Sequence, residues 1–453
     1  MSALPESRIL LTARDPNMNT SNPIRKLLII GYVWPEPNSS AAGSRMMQLI
    51  EQFLQAGIEV TFATAATDSP HAVDLEIAGV ITAKINLNDS DFDHFLKQLM
   101  PDAVLFDRFM IEEQFGWRVE NHCPGALRIL NTEDLHCLRQ TRHLMLKQLE
   151  KETYQLQYSE TLDQDKLFRM LTKQEICKRE LAAIHRCDIN LMVSDFEIQL
   201  LQTYFNVPPR QLYYLPLVYS AKPPTHKSFS QRRHFIAIGN FRHQPNWDAV
   251  LQLKQHIWPQ LSRKLPDAEL HIYGAYPPPK ATALHSNKER FLVKGWAQDA
   301  FETIESARVL LAPLRFGAGI KGKLAETMRC GTPSITTPIG AEAMQFSATW
   351  GGVIANNYSE FIEAASELYQ HQNSWQRAQK NAFDLFDRHF SHPHSGFIKL
   401  VAALNDYRHN LTELRSQHFI GAMLNHHQHK STQYMSQWIE AKNQLKDKNP
   451  QAH

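Results

Sequence analysis

Lys26-Leu-Leu-Ile-Ile-Gly-Tyr-Val33 is an uninterrupted apolar run of the length a strand needs when both of its faces are buried. After a small-residue loop, Met46, Leu49, Ile50, Phe53 and Leu54 recur at helical spacing across Ser44–Ala56, and Gly57 supplies a residue suited to ending that helix. Ile58-Glu-Val-Thr-Phe-Ala63 then returns as a second strand. Strand, helix and strand in this order predict a right-handed parallel crossover, so the fold class is α/β.

The pattern repeats outward. Ala103–Phe106, Leu127–Leu130 and Ile189–Val193 read as short buried strands separated by helical stretches, which extends a doubly wound first domain over residues 24–217. Within it, the polar stretch 139–186 is rich in Leu, Lys, Gln and Glu and reads as a helical hairpin or lid, a structural insertion with its charged face in water. Residues 218–234 have the prolines, serines and basic residues of a linker. A second series follows: Phe235–Ile238, a helix marked by Trp247, Val250, Leu251 and Ile257, then Glu269–Tyr273, Phe291–Val293, Val309–Pro313, Ser334–Thr336 and Gly352–Ile354. These make a second domain over 235–385, leaving 386–453 as a helical tail and 1–23 as a loose leader with neither the apolar core nor the cleavage site of a secretory signal.

With 453 residues, 43% of them hydrophobic, the chain can bury more than one core. Its 48 Lys and Arg against 46 Asp and Glu leave a net charge of +2, too little to draw in nucleic acid or anionic lipid, so any anion site must be local. Five scattered cysteines without close pairs fit a reducing cytosol better than a disulfide framework or a zinc ribbon. No apolar run approaches the roughly 18 residues of a membrane span. A cytoplasmic protein is therefore expected, and Phe419, Met423, Tyr434 and Trp438 in the tail offer peripheral contact with the inner face of a membrane as a sharper alternative.

Two doubly wound domains set the C-terminal edges of their sheets around a cleft, where ligands bind. The chain that follows Val309–Pro313 is Arg315-Phe-Gly-Ala-Gly-Ile-Lys-Gly-Lys-Leu-Ala-Glu326. Gly317, Ala318 and Gly319 let backbone amides approach an anion closely, and the helix N-terminus with Lys321 and Lys323 adds positive potential, giving a receptor the size of a diphosphate. Glu326, one to two turns into the helix, can accept hydrogen bonds from a sugar diol. A glycine-rich loop with solvated lysines is the plainer reading. In the first domain, Ile129-Leu-Asn-Thr-Glu-Asp-Leu-His-Cys-Leu-Arg139 places Glu133, Asp134 and His136 just past a strand end, either as cleft groups or with Thr132 or Asp134 capping the next helix. Ser194-Asp-Phe-Glu197 has the spacing of a capping box and reads as a helix start. His426-His427-Gln-His429 is too compact for a zinc site, and the absence of a GxGxxG after the first strand removes the main support for a nicotinamide enzyme.

The stretch from Pro313 through Glu326 to Cys330-Gly-Thr-Pro333 resembles the donor-site signature of GT-B glycosyltransferases of family 4. Ile238-Gly-Asn-Phe-Arg-His-Gln-Pro-Asn-Trp-Asp248 resembles the opening of their donor domain, Phe291-Leu-Val-Lys-Gly-Trp296 a later strand, and the Pro35–Gly43 loop their acceptor-side loop. The resemblance covers residues 26–385 and is strongest in the second half. It implies a GT-B fold, two Rossmann-like domains facing a cleft with C-terminal helices, and a hexosyltransferase reaction. A sugar would pass from a nucleotide diphosphate sugar to a hydroxyl of a glycan or lipid-linked acceptor with retained anomeric configuration, and no cofactor is needed beyond the donor.

By the same resemblance Glu326 matches the ribose-binding carboxylate, His136 the active-site histidine, and Gly317, Gly319, Lys321, Lys323 and Arg242 the groups that hold the diphosphate. His136, Lys321 and Glu326 are the expected catalytic set. The family's second glutamate is replaced by Ala318, and Asn240 stands where an arginine is common. Asp91-Phe-Asp93 and Asp163-Gln-Asp165 imitate the metal-binding DxD of the other major glycosyltransferase fold, but neither follows a buried strand, so no obligatory metal is expected. A degenerate GT-B scaffold in polysaccharide assembly, a nucleotide-sugar epimerase and a phosphorylase are the alternatives on the same architecture.

Overall fold

The computed structural model describes residues 23–152, 163–223, 225–391, 393–426 and 430–448. The leader up to residue 22 and His427 to His429 lie outside them. The first sheet contains β1 (Lys26–Gly31), β2 (Glu59–Thr64), β3 (Ile81–Lys84), β4 (Ala103–Asp107), β5 (Leu127–Asn131), β6 (Ile189–Met192) and β7 (Leu212–Tyr214) in the order β3-β2-β1-β4-β5-β6-β7. The second contains β8 (Arg233–Ile238), β9 (Leu270–Tyr273), β10 (Phe291–Gly295), β11 (Ala307–Ala312), β12 (Ser334–Thr336) and β13 (Gly352–Ile354) in the order β10-β9-β8-β11-β12-β13. Every strand pair in both sheets is parallel.

The continuous apolar runs explain the central strands. β4 and β5 are buried along their whole length, and β1 is exposed only at Lys26, so each must carry apolar residues on both faces. β3 and β7, absent from the sequence reading, are short edge strands whose residues are only half-buried or exposed, and they show no such run. In each sheet the winding direction reverses beside the first strand, between β1 and β4 and again between β8 and β11. The crevices beyond the C-terminal ends of those strands are where a doubly wound sheet takes its ligand.

The stretch 139–186 is not a solvated insertion. The His136–Glu152, Gln164–Leu171 and Glu175–Arg186 helices set Leu138, Met145, Leu167, Leu171, Cys177, Ala183 and Ile184 into the first-domain core. Its charged residues mislead because several are buried in pairs: Arg186 against Glu112, and Arg142 against Glu342 of the second domain.

The chain crosses between the lobes twice. The Gln372–His389 helix packs Ala382, Leu385 and Phe386 against Leu324 and Met328 of the second domain. At its end the Phe390 carbonyl accepts the Tyr219 amide at 2.8 Å, joining the returning strand of chain to the outgoing one. The Pro393–His409 helix then lies on the first sheet, where Phe397, Leu400 and Leu404 share a core with Leu27, Ile29, Leu105 and Ile129. The Leu411–Ser416, Phe419–Leu424 and Lys430–Lys448 helices follow.

Candidate active site

The loop between β11 and the Gly322–Cys330 helix is fixed residue by residue. Buried Arg315 pairs with both carboxylate oxygens of Asp248. The Phe316 ring stacks on His143 at 4.3 Å between centroids, and the Gly317 carbonyl accepts Arg142 Nη1 at 2.9 Å, so the His136–Glu152 helix of the first domain holds this loop from across the seam. Gly319 sits at φ +62°, and a Cβ there would lie 2.8 Å from the Asp134 Cβ, which leaves room only for glycine. Lys321 Nζ donates to the Gly319 carbonyl at 2.9 Å and is also the N-cap residue of the helix, whose first amides have no side-chain cap. Lys323 Nζ donates to Asn246 Oδ1 at 2.7 Å.

Burial pushes the Glu326 carboxyl up to about 7, with Lys323 opposing it. Burial likewise draws the Lys323 ammonium down to about 8, opposed by Glu326, and lowers Lys321. A carboxylate and an ammonium one turn apart therefore both titrate near neutrality, the balance expected where a site must exchange charge with a ligand.

The facing edge belongs to the first sheet. Arg108 after β4 and Glu133 after β5 adopt φ of +74° and +62°, left-handed conformations that non-glycine residues hold only under constraint from their surroundings. The Asn131 side-chain amide donates to Glu133 at 2.7 Å, while burial and neighbouring Asp107 push Glu133 up to about 8. His136 opens its helix, with the His136 and Cys137 amides donating to the two oxygens of Glu180 at 3.0 and 2.8 Å. Glu180, rather than Thr132 or Asp134, thus satisfies that helix end. Asp134 is left to pair with Arg139 and to stand 3.5 Å from His136 Nε2; burial raises its pKa, but the guanidinium more than offsets this and holds it well below the carboxylate range. Burial draws His136 down to about 4 against the pull of Asp134, so its ring is neutral at pH 7.

Glu197 links the two sides. Ser194 Oγ accepts the Glu197 amide at 3.3 Å, which is the expected helix start, but the buried Glu197 carboxylate accepts the Leu135 amide at 3.1 Å and the Gly319 amide at 2.8 Å. Its other oxygen, together with Asp107 Oδ1, Arg108 Nε and two nitrogens of Arg45, is buried with no hydrogen-bond partner. Gly322 abuts Ala41 closely enough that a Cβ would lie 2.5 Å from the Ala41 Cβ, so two helix N-termini converge at the same seam.

Gly317, Gly319 and Lys321 thus meet the first domain's Arg142, Glu197 and Asp134, the last of which stands beside His136, while Lys323 and Glu326 lie on the helix that this turn opens. Arg242 is exposed, with its guanidinium 3.6 Å above the Tyr276 ring. Tyr276 in turn donates to Glu36 at 2.7 Å, and Trp296 Nε1 donates to the Asn38 carbonyl at 3.1 Å, so this aromatic pair seats the Pro35–Gly43 loop at the rim. Asn240, in the place of an arginine, braces its own turn by accepting the Arg242 amide at 2.9 Å. Glu197, Glu180, Arg142 and His143 were not anticipated from the sequence as site groups. Only Glu197 carried a local signal, and that signal spoke for a helix cap.

Among the described residues one group has metal-ligand proximity, His234, Glu269 and His271. It lies at the N-terminal ends of β8 and β9, away from the seam. His234 Nδ1 accepts the Glu269 amide at 3.2 Å, which puts the proton of a neutral ring on the nitrogen that would have to bind the metal.

Residues 232–371 match the family model of glycosyl transferases, group 1. This lobe is a group 1 glycosyltransferase domain. The group 1 domain and the lobe facing it together have the GT-B fold of solved glycosyltransferases. S. aureus TarM, in complex with Fondaparinux, alpha-GlcNAc-glycerol and UDP, matches at a TM-score of 0.62 and 11% identity over 84% of this chain and 100% of that one. WaaG, a glycosyltransferase of lipopolysaccharide biosynthesis, matches at 0.56 and 14% over 83% and 99%. Anabaena HepE, in complex with UDP and glucose, matches at 0.54 and 11% over 86% and 99%. No curated protein sequence matches the chain.

Proposed function

We propose that the protein transfers a sugar from a nucleoside diphosphate sugar to a hydroxyl of a glycan or lipid-linked acceptor, with retention, the group 1 domain holding the donor and the first domain presenting the acceptor. One observation carries this reading: the turn into the uncapped N-terminus of the Gly322–Cys330 helix, which carries Lys321, Lys323 and Glu326, meets the first domain, Gly319 against Asp134 beside His136 and Gly322 against Ala41. Breaking the anomeric bond builds negative charge on the departing diphosphate. The Gly317 and Gly319 turn, the helix N-terminus and the two lysines stabilise that charge more in the transition state than in the ground state. The Glu326 carboxylate accepts the ribose hydroxyls. Neutral His136, oriented by Asp134, is a hydrogen-bonding group for the sugar rather than a charge. Admitting the donor requires the Gly319 amide to exchange Glu197 for a donor oxygen as the seam opens and recloses.

The UDP in the TarM and HepE complexes puts UDP conjugates first among donors to assay. Five cysteines, all buried and none bridged, support a reducing compartment. No helix among the described residues is long and apolar enough to cross a membrane. A nucleotide-binding scaffold without turnover is the second reading, favoured by Ala318 and by Glu197 already holding the Gly319 amide. Donor turnover with Glu326→Ala and Lys321→Ala decides between them. The transferase reading expects both variants to lose nucleoside diphosphate release by tenfold or more, in keeping with about 1.5–3 kcal/mol per charged hydrogen bond. Unchanged donor affinity and turnover in both would remove it, and binding without release by the wild type across many acceptors would select the scaffold.

A further inference from the structure

At the opposite edge of the first sheet from the active-site seam, the Leu411–Ser416 and Phe419–Leu424 helices close over a cavity of about 470 Å³. That volume is within the range of small-molecule sites, roughly 300–1,000 Å³. Five of its lining residues are cationic, Arg128, Arg186, Arg210, Arg415 and Lys430, against two acidic ones, Glu120 and Asp188. Arg210 Nη1 donates to the neutral Gln417 Oε1 at 2.6 Å and Lys430 Nζ lies 3.4 Å from His426 Nε2, whereas two of the cations are paired with carboxylates. Arg186 pairs with Glu112 behind the wall, and Arg415 grips Asp188 through Nε and Nη2 at 2.8 and 2.7 Å. Arg128, Arg210 and Lys430 then face the single carboxylate of Glu120.

Arg128 is the informative residue. It is 5% exposed, and its nearest carboxylate oxygens, on Glu120 and Asp188, lie 3.8 and 3.9 Å away, beyond hydrogen-bond distance. Its Nε and Nη1 are buried without a partner, as is Nδ1 of neighbouring His185. A buried guanidinium with unmet donors is costly unless an anion completes it. The requirement is for an acceptor with several oxygens, because the donors come from separate directions: Arg128 and His185 from the sheet edge, Arg210 and Lys430 from the rim. A phosphate has that geometry, and arginine is the side chain best suited to it.

We propose that this cavity binds a phosphate ester, as a second site independent of the donor reading. Two sources share this chemistry, a free sugar phosphate and the headgroup of an anionic lipid. Phe419, Ile420 and Met423 are exposed on the helix that covers the cavity, which gives the lipid a surface to approach.

The test is hydrogen exchange on the full chain with glucose 1-phosphate, or with phosphatidylglycerol vesicles compared with phosphatidylcholine vesicles, read over residues 183–190 and 411–425. Protection there is expected with at least one of the two probes. Protection by the ester alone identifies a free ligand, by phosphatidylglycerol alone a headgroup. Arg210→Ala with Lys430→Ala, both exposed in the parent protein, should raise the half-maximal concentration by about tenfold or more, equal to about 1.4 kcal/mol, with an unchanged melting curve. Arg128→Gln should do the same if it folds. No protection, protection confined to 315–326, or protection that survives the double substitution overturns the proposal.

Discussion

In the proposed reading Glu326 acts through its charge, and burial places its pKa at about 7 instead of the usual carboxylate range. The sign follows directly. The ionised form accepts both hydrogen bonds from a diol, so donor affinity should rise as pH increases through 7 and fall again as Lys323, held at about 8, loses the charge that faces the diphosphate. Folding stability should run the other way: the folded state holds the proton more tightly than the unfolded chain, so this group's contribution falls as pH climbs from the ordinary value of 4.5 to 7. Glu326→Gln should remove both steps, measured by calorimetric titration of the donor nucleotide and by urea unfolding at several pH values. His136, held at about 4, is neutral through that window and cannot mimic the effect. The small-residue turn opening the Gly322–Cys330 helix was legible in the sequence because its signal is local. Glu197 and Arg142 were not, since their roles come from partners 122 and 175 residues away along the chain.

At the scale of elements, the His136–Glu152 helix and the β11 loop act as one unit, bound by Arg142, His143 and Glu197 across the seam. Burial pushes the Glu197 carboxyl up to about 8. In an opened seam that carboxyl regains water and its ordinary pKa, so the closed form binds the extra proton and closure should weaken as pH rises from the ordinary 4.5 to 8, then level off. Exchange of the Gly319 amide should therefore accelerate between about pH 5 and 8 beyond the intrinsic base-catalysed rate and follow that rate alone above 8, and Glu197→Gln should abolish the excess. Central strands and amphipathic helices were readable from apolar runs and helical spacing. The edges β3 and β7 were not, because half-exposed strands of three or four residues carry no run to read. Stretch 139–186 was misread for the converse reason: its charges looked solvated, yet Arg142, Glu180 and Arg186 are buried and paired or capping.

Over the whole molecule, the chain passes through the group 1 domain and then returns to complete the first. Leu400 is fully buried beneath the first sheet, about 270 to 370 residues after the strands it covers. Leu400→Ala should cost about 2–5 kcal/mol in urea unfolding, and the loss should fall on the first domain although the residue lies beyond the second. Composition gave no hint of this return, since a helical tail reads alike whether it packs or floats. The two crossings meet where the Phe390 carbonyl accepts the Tyr219 amide. The most direct measurement is the melting temperature of wild type and Glu326→Ala with UDP, GDP, ADP and their sugar conjugates, since a ligand bound only by the folded state raises it. If the turn into the Gly322–Cys330 helix is the diphosphate site, one nucleotide family raises the wild-type value and the variant loses most of that rise. No response to any nucleotide, or an equal rise in both proteins, would contradict it.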